Sequence, residues 1–305
     1  MVRVTCPDVV SPSYFVATAA VELGFFKAEG IDAEFQYPSS HAAQDLADGS
    51  IDFFATSPYV GLTAFPEWQG AKMLCALSHH TYWFLAVRAD LGAKQGDVSA
   101  LKGHRISASG PPGMALRQTL ITAGIDFERD NVEIVPAPRP GPDGNHARIG
   151  VQALREGISD AYWGNAMRAE YGVRQGIATI LLDIRRGDGP PAARDFTFPA
   201  LIATERLVEE QPEVAAGAVR AIVRAQKALK ADPSLATQVA RKLFPAEEAE
   251  LIAGQIARDA EFYDATITED MVAKTAQFTR DIGLISGPIG YEQAVATQFA
   301  HLWTE

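Results

Sequence analysis

Asp48-Gly49-Ser50-Ile51-Asp52-Phe53-Phe54-Ala55-Thr56-Ser57 is the stretch whose reading decides the fold. An Ala-rich, polar helical segment runs into it and stops at Gly49. Glycine is the usual residue just past a helix end, because it adopts the left-handed conformation without a Cβ penalty. The apolar run 51–55 is too short for a helix and is bounded by turn residues, which is the pattern of a buried parallel strand. It empties into Thr56-Ser57-Pro58-Tyr59, a polar exit at the strand's carboxyl end. In open α/β sheets, ligands bind outside those ends.

The same grammar returns in Leu154-Arg155-Glu156-Gly157-Ile158-Ser159-Asp160-Ala161-Tyr162-Trp163-Gly164-Asn165: helix, Gly, Asp, short strand, polar exit. The two stretches read as matching strands of two lobes of similar build. Their exits, 56–59 and 163–165, are expected to face a common cleft.

The chain has 305 residues, enough for two domains of ordinary size. Its 47% hydrophobic and 21% charged residues are those of a globular protein rather than a disordered one. A net charge of −11 argues against a nucleic-acid partner and provides no polybasic membrane patch, though it leaves an anionic small ligand open. No apolar run approaches the roughly 18 residues that a membrane-spanning helix needs. Val2 to Cys6 already reads as a strand, so either an export signal has been removed and the protein is periplasmic or lipid-anchored, or it is cytoplasmic. Cys6 and Cys75 read as small buried hydrophobes. No metal-ligand spacing is present, and His79 and His80, being adjacent, diverge on a strand. Neither a metal nor a cofactor is expected.

Along the chain, strands are expected at 2–6, 32–37, 51–55, 72–78, 83–88, 131–136, 178–184 and 196–204, and 101–108 opens the second lobe with a strand leading into the turn that follows. Helices are expected at 14–26, from Ser39 or Ser40 as N-cap to Gly49, at 114–123, and at 149–156. Residues 138–145 read as a Pro/Gly-rich surface loop and 185–194 as a long polar loop. From Glu205 onward the chain is mostly helical, with segments at 214–231, 235–243, 247–262, 268–282 and 291–302. This is α/β, then α/β, then helices packing back. Strands 83–88 and 196–204 are read as two crossings, giving lobe one as 1–84 with 200–305 and lobe two as 85–199, with a hinge and a site between them.

With these phrases in order, the chain resembles the solute-binding proteins of nitrate, taurine and aliphatic-sulfonate importers, which share a fold with thiamine-pyrimidine precursor proteins. The resemblance is carried by 20–31, 46–57, 101–109, 157–163 and the Gln211-Pro212-Glu213 start of the helical tail. It implies a type II periplasmic-binding-protein-like fold: two α/β lobes, two hinge strands, and C-terminal helices on lobe one. It also implies closure on a small ligand and an ABC transporter permease as partner. The cysteine-rich iron motif of eukaryotic pyrimidine synthases is absent. A sulfinate desulfinase of aromatic desulfurisation is similar too. Thr5-Cys6-Pro7 resembles its nucleophile segment and His41 lies near its histidine, but no Arg occurs between His41 and Arg88 to match its arginine.

The residues expected to line the ligand are Cys6, Ser11, Tyr14, His41, Thr56, Ser57, Tyr59, His79, His80, Tyr82, Ser109, Gly110, Gly113, Trp163 and Asn165. Ser109-Gly110-Pro111-Pro112-Gly113 leads from a strand into a helix N-terminus, where free backbone N–H groups favour an anion, although two prolines remove two donors. Arg117 and Arg194 are weaker candidates for charge neutralisation. Tyr14, Tyr59, Tyr82, Trp83 and Trp163 give more aromatic surface than nitrate needs, so the expected ligand is a small organic molecule, aromatic or anionic. The rival expectation is an enzyme, a lyase or hydrolase, with Cys6 as nucleophile and His41 as base on a small aromatic acid. A third is a cytosolic sensor or scavenger.

Overall fold

The strands are β1 (Val2–Thr5), β2 (Ala33–Phe35), β3 (Phe53–Thr56), β4 (Ala71–Ala76), β5 (Phe84–Arg88), β6 (Arg105–Ser107), β7 (Glu133–Val135), β8 (Ala161–Gly164), β9 (Ala178–Asp183) and β10 (Ala200–Thr204). The helices are α1 (Pro12–Glu22), α2 (Phe25–Ala28), α3 (Ala42–Asp48), α4 (Pro58–Gly61), α5 (Gly110–Thr122), α6 (Ile149–Arg155), α7 (Ala166–Arg174), α8 (Glu205–Glu210), α9 (Pro212–Ala231), α10 (Ser234–Leu243), α11 (Ala246–Asp259), α12 (Glu269–Asp281) and α13 (Tyr291–Ala294). The computed structural model describes residues 1–37, 41–108, 110–139 and 147–305. The expected N-cap at Ser39 or Ser40, Ser109, and most of the 138–145 loop lie outside them.

Two compact units emerge, one formed by 1–80 with 197–305 and the other by 81–196. Each holds one five-stranded sheet, ordered β2-β1-β3-β10-β4 in the first and β7-β6-β8-β5-β9 in the second. In the first sheet β1 runs parallel to β2 and β3, while β10 lies antiparallel between β3 and β4. In the second, β6 runs parallel to β7 and β8, while β5 lies antiparallel between β8 and β9. The reversed strand of each sheet carries an irregularity between its second and third residues, at Leu201/Ile202 and at Leu85/Ala86. The strand read first, β3, and its recurrence, β8, therefore hold the same station in two sheets of one plan.

The repeated Gly-x-x-Asp phrase has a physical cause. Arg3 donates its backbone N–H and its Nε to Asp52 Oδ2, at 2.8 and 3.2 Å, and its guanidinium reaches the Gly49 carbonyl at 2.6 Å. Arg105 does the same in the second unit. Its backbone N–H lies 3.0 Å from Asp160 Oδ2, its Nε 3.6 Å away, and its guanidinium reaches the Gly157 carbonyl at 2.9 Å. Both glycines have positive φ, 81° and 65°, which turns the chain off the helix and toward the arginine. The Asp pins the amino end of one parallel strand to its neighbour, at the edge opposite the polar exits.

In the first unit, α9 packs on α1 and α2. Arg220 and Arg224 of α9 hold Glu29 at 2.6 and 2.9 Å, and Gly217 lets the helix approach Ile31. Gln226 donates to the carbonyls of Ala76 and Leu77, tying α9 to the end of β4. The free edge of β4 is covered by the tail. Val295 bridges Met73, Ala296 N–H donates to the Met73 carbonyl at 3.0 Å, and the Trp303 indole donates to the Leu74 carbonyl at 2.9 Å. This edge pairing breaks the helix expected at 291–302 into α13, an extended contact and a 3-10 turn (Thr297–Leu302).

Other expectations shift. The single helix 14–26 is α1 and α2, separated at Gly24, whose φ of 80° ends the first. The strand 51–55 starts later, at Phe53, because Asp52 is still held by Arg3. Residues 166–174, given no element above, form α7. Residues 185–194, expected as a polar loop, hold most of two 3-10 turns (Ile184–Arg186 and Pro191–Asp195), and Arg185 within them is 2% exposed.

Candidate functional site

Because β10 and β5 are reversed, the carboxyl edge of each parallel set is also where the reversed strand begins. In the first unit that edge carries Cys6 after β1, Ser11 at the start of α1, Thr56 and Ser57 at the end of β3, and His79 and His80 after β4. Thr56 closes the strand rather than opening a loop, and Ser57 is the N-cap of the short helix α4, with Pro58 as its first residue. Ser11 and Thr56 are buried, at 1% and 0% exposure, and neither hydroxyl has a hydrogen-bond partner among the described residues. Leaving such a group unanswered costs about 1–3 kcal/mol.

Several expected contacts at this edge are engaged by the protein itself. The Tyr59 ring meets Phe278 of α12 edge-on, 5.5 Å between centroids. His79 Nε2 lies 2.9 Å from the Thr266 carbonyl and 3.8 Å from Asp264, and the His80 ring packs edge-on against Phe262. His80 has φ 66°, a left-handed turn that carries the chain off β4. Tyr14 is buried in α1. His41 is exposed at the start of α3 and does not cap it through its side chain.

The Cys6 thiol is fully buried, and burial, with the nearby Asp8 carboxylate, pushes its pKa far above that of an ordinary thiol. A nucleophilic cysteine needs the opposite shift. His41 is exposed, whereas Cys6 is fully buried. Both cysteines are free, Cys75 being buried in β4. Among the described residues no three His, Cys, Asp or Glu side chains gather as a metal set.

In the second unit the carboxyl edge is aromatic. Tyr82 and Trp83 precede β5, Trp163 lies near the end of β8, and Arg185 follows β9. The Tyr82 and Trp83 rings lie 4.8 Å apart, and Trp83 and Trp163 stack at 6.1 Å with 21° between planes. The Arg185 guanidinium lies 5.7 Å from the Tyr82 ring centre. Trp83 and Trp163 are 8% and 1% exposed, and neither indole N–H finds an acceptor among the described residues. Asn165 matches Ser57 in position. Its side-chain oxygen accepts the Arg168 N–H at 3.0 Å and so caps α7. Gly110, with φ 60°, and Gly113 lie in the first turn of α5, alongside the two prolines. Arg117 is exposed and stacks over Phe127 at 4.4 Å, and Arg194 donates to the Arg185 carbonyl at 3.0 Å. Arg185 is the residue that sequence reasoning missed. Its only signal was an arginine two residues beyond an apolar strand, at the edge where the other candidates gather.

Two α/β sheets of one plan, each with a single reversed strand, define the two-lobed, type II periplasmic-binding-protein-like fold. The chain belongs to the NMT1/THI5-like family, whose model matches residues 11–236. No curated protein matches it by sequence. Among solved structures, a protein from Bordetella bronchiseptica RB50 superposes with TM-score 0.73 at 20% identity, covering 98% of this chain and 95% of its own. The periplasmic aliphatic sulphonate binding protein SsuA from Escherichia coli gives TM-score 0.71 at 14% identity, with coverage of 96% and 91%. A DSZB mutant in complex with biphenyl-2-sulfinic acid gives 0.69 at 18% identity, with coverage of 98% and 97%.

Proposed function

We propose that the protein is a solute-binding protein that presents a small organic anion to the permease of an ABC importer. The observation that carries this reading is the pairing of fold with unmet chemistry. Both sheets leave buried, unanswered polar atoms at their carboxyl edges: Ser11 and Thr56 in one unit, Trp83 and Trp163 in the other. Ligands of open α/β sheets bind at such edges. Similarity to proteins described as binding aliphatic sulphonates in the periplasm supports both the solute class and an exported or lipid-anchored location. Among the described residues no helix is long and apolar enough to cross a membrane. The raised pKa of Cys6 weighs against the desulfinase-like alternative.

The test is ligand-observed NMR with a panel of sulfonates, sulfinates, aromatic carboxylates, pyrimidines and nitrate, followed over hours. One solute class should broaden and stay intact. The same solute at about 100 times its dissociation constant should add about 2.7 kcal/mol of stability, read as a rise of several degrees in melting temperature. Consumption of a compound with new resonances appearing would overturn the transport reading and return Cys6 and His41 to the centre.

A further inference from the structure

We propose that the Trp83 and Trp163 indoles are the anion readers of the second unit, and that the solute they select is an aromatic ring bearing an oxyanion. The inference rests on the solute-binding reading and names the ligand's chemistry. An indole N–H is a donor only; it cannot be satisfied by another donor or by a turn of its own ring. Two such donors stand on rings stacked 6.1 Å apart, both out of reach of bulk water and both without an acceptor among the described residues. A group with two or more acceptor oxygens can answer both donors at once. Arg185, a side chain 2% exposed with its guanidinium 5.7 Å from the Tyr82 ring centre, adds positive charge to the same aromatic array, which favours an anionic partner over a neutral one. Hydrogen bonds from neutral donors to an anion are stronger than those to a neutral carbonyl. The ring of the partner is argued from what surrounds the donors. Tyr82, Trp83 and Trp163 give a contiguous aromatic wall, which favours stacking over the packing of a short alkyl chain.

The test uses the full chain with benzenesulfonate and benzoate as probes, against ethanesulfonate, nitrate and uncharged benzyl alcohol. The protein has four tryptophans, so its indole N–H region in a 1H–15N spectrum holds four assignable signals. The Trp303 indole already donates to Leu74 and serves as an internal control. Benzenesulfonate or benzoate should move the Trp83 and Trp163 signals and leave that of Trp303 in place. Trp83→Phe and Trp163→Phe keep a ring and remove the donor. Each should weaken binding by about 10- to 100-fold while the melting temperature of the unliganded protein is held or raised. Benzyl alcohol and ethanesulfonate should each bind at least about tenfold more weakly than benzenesulfonate. Binding with unmoved Trp83 and Trp163 signals, or with both variants within twofold of wild type, overturns the proposal and leaves the solute-binding reading intact. Equal affinity for ethanesulfonate overturns the aromatic part, and no binding of either aromatic anion at millimolar concentration overturns the whole. Consumption of a probe overturns the solute-binding reading instead.

Discussion

Asp160 shows how a repeated letter in the sequence becomes a structural part. Burial opposes its ionisation, but the Arg105 backbone N–H and the charges of Arg105, His104 and Arg88 outweigh it, holding the carboxyl below the ordinary range. A depressed carboxyl pKa means that the unfolded chain binds more protons in mild acid. The stability Asp160 contributes is therefore complete above its unfolded pKa, near 3.9, and is lost as pH falls toward the folded value. Asp160→Asn should cost about 1–3 kcal/mol at neutral pH. Urea midpoints of variant and wild type should converge as pH is lowered through 4, and a gap that stays constant would remove the ion-pair account. The glycine and aspartate of this phrase were legible in the sequence, but the arginine partner was not. Arg3 and Asp52 are 49 residues apart, and Arg105 and Asp160 are 55 apart, so no local pattern joins them. The burial of Arg185 was not legible for a related reason. An arginine before Arg186, Gly187 and Asp188 looks solvated, yet its guanidinium lies 5.7 Å from the ring of Tyr82, far back in the chain.

At the level of elements, the strands and most helices were visible from apolar periodicity and from the Gly and Pro residues that bound many of them. The exceptions were decided by neighbours. α7 shows little of its role locally, yet it meets β8 through Tyr162 and through Arg168, whose guanidinium donates to the Trp163 carbonyl at 3.2 Å. The Tyr162 ring sits against Gly150 of α6, where an added Cβ would lie 2.5 Å from the ring, and its hydroxyl, close to Gly172 of α7, donates to the Arg168 carbonyl at 3.2 Å. Gly150→Ala would gain up to about 1 kcal/mol in helix propensity and lose about 1–3 kcal/mol to overpacking. The net effect should be a melting temperature lower by several degrees. A rise would mean that the ring shifts freely and that α6 is not wedged against β8. The tail shows the same override. The 291–302 segment has helical character, but the open edge of β4 captures Val295 and Ala296 as extended chain.

For the whole molecule, the recurrence of one phrase was enough to indicate two sheets, and their common order bears that out. What the phrase did not carry was the route of the chain between them. β10 is inserted between β3 and β4, pairing Ala200 with Thr56 and with Ala76. The first sheet therefore stays in two parts, β2-β1-β3 and an unpaired β4, until β10 arrives. The second sheet is complete within 81–196. A contiguous unit closes shorter loops than a divided one, and non-local pairing is the slower step. Pulse-labelled hydrogen exchange during refolding should protect amides of β5 and β8 before those of β3 and β4. The reverse order would show that the early strands nucleate without β10. On the ribosome the asymmetry becomes one of timing: β1 to β4 emerge before the second unit, yet their sheet is finished after it. β4 waits with both edges bare while the second unit is made, then receives β10 on one side and the Val295–Trp303 tail on the other. A chain stopped shortly after residue 196 would hold one finished unit and one exposed, adhesive half-sheet, the kind of species that chaperones and proteases take up.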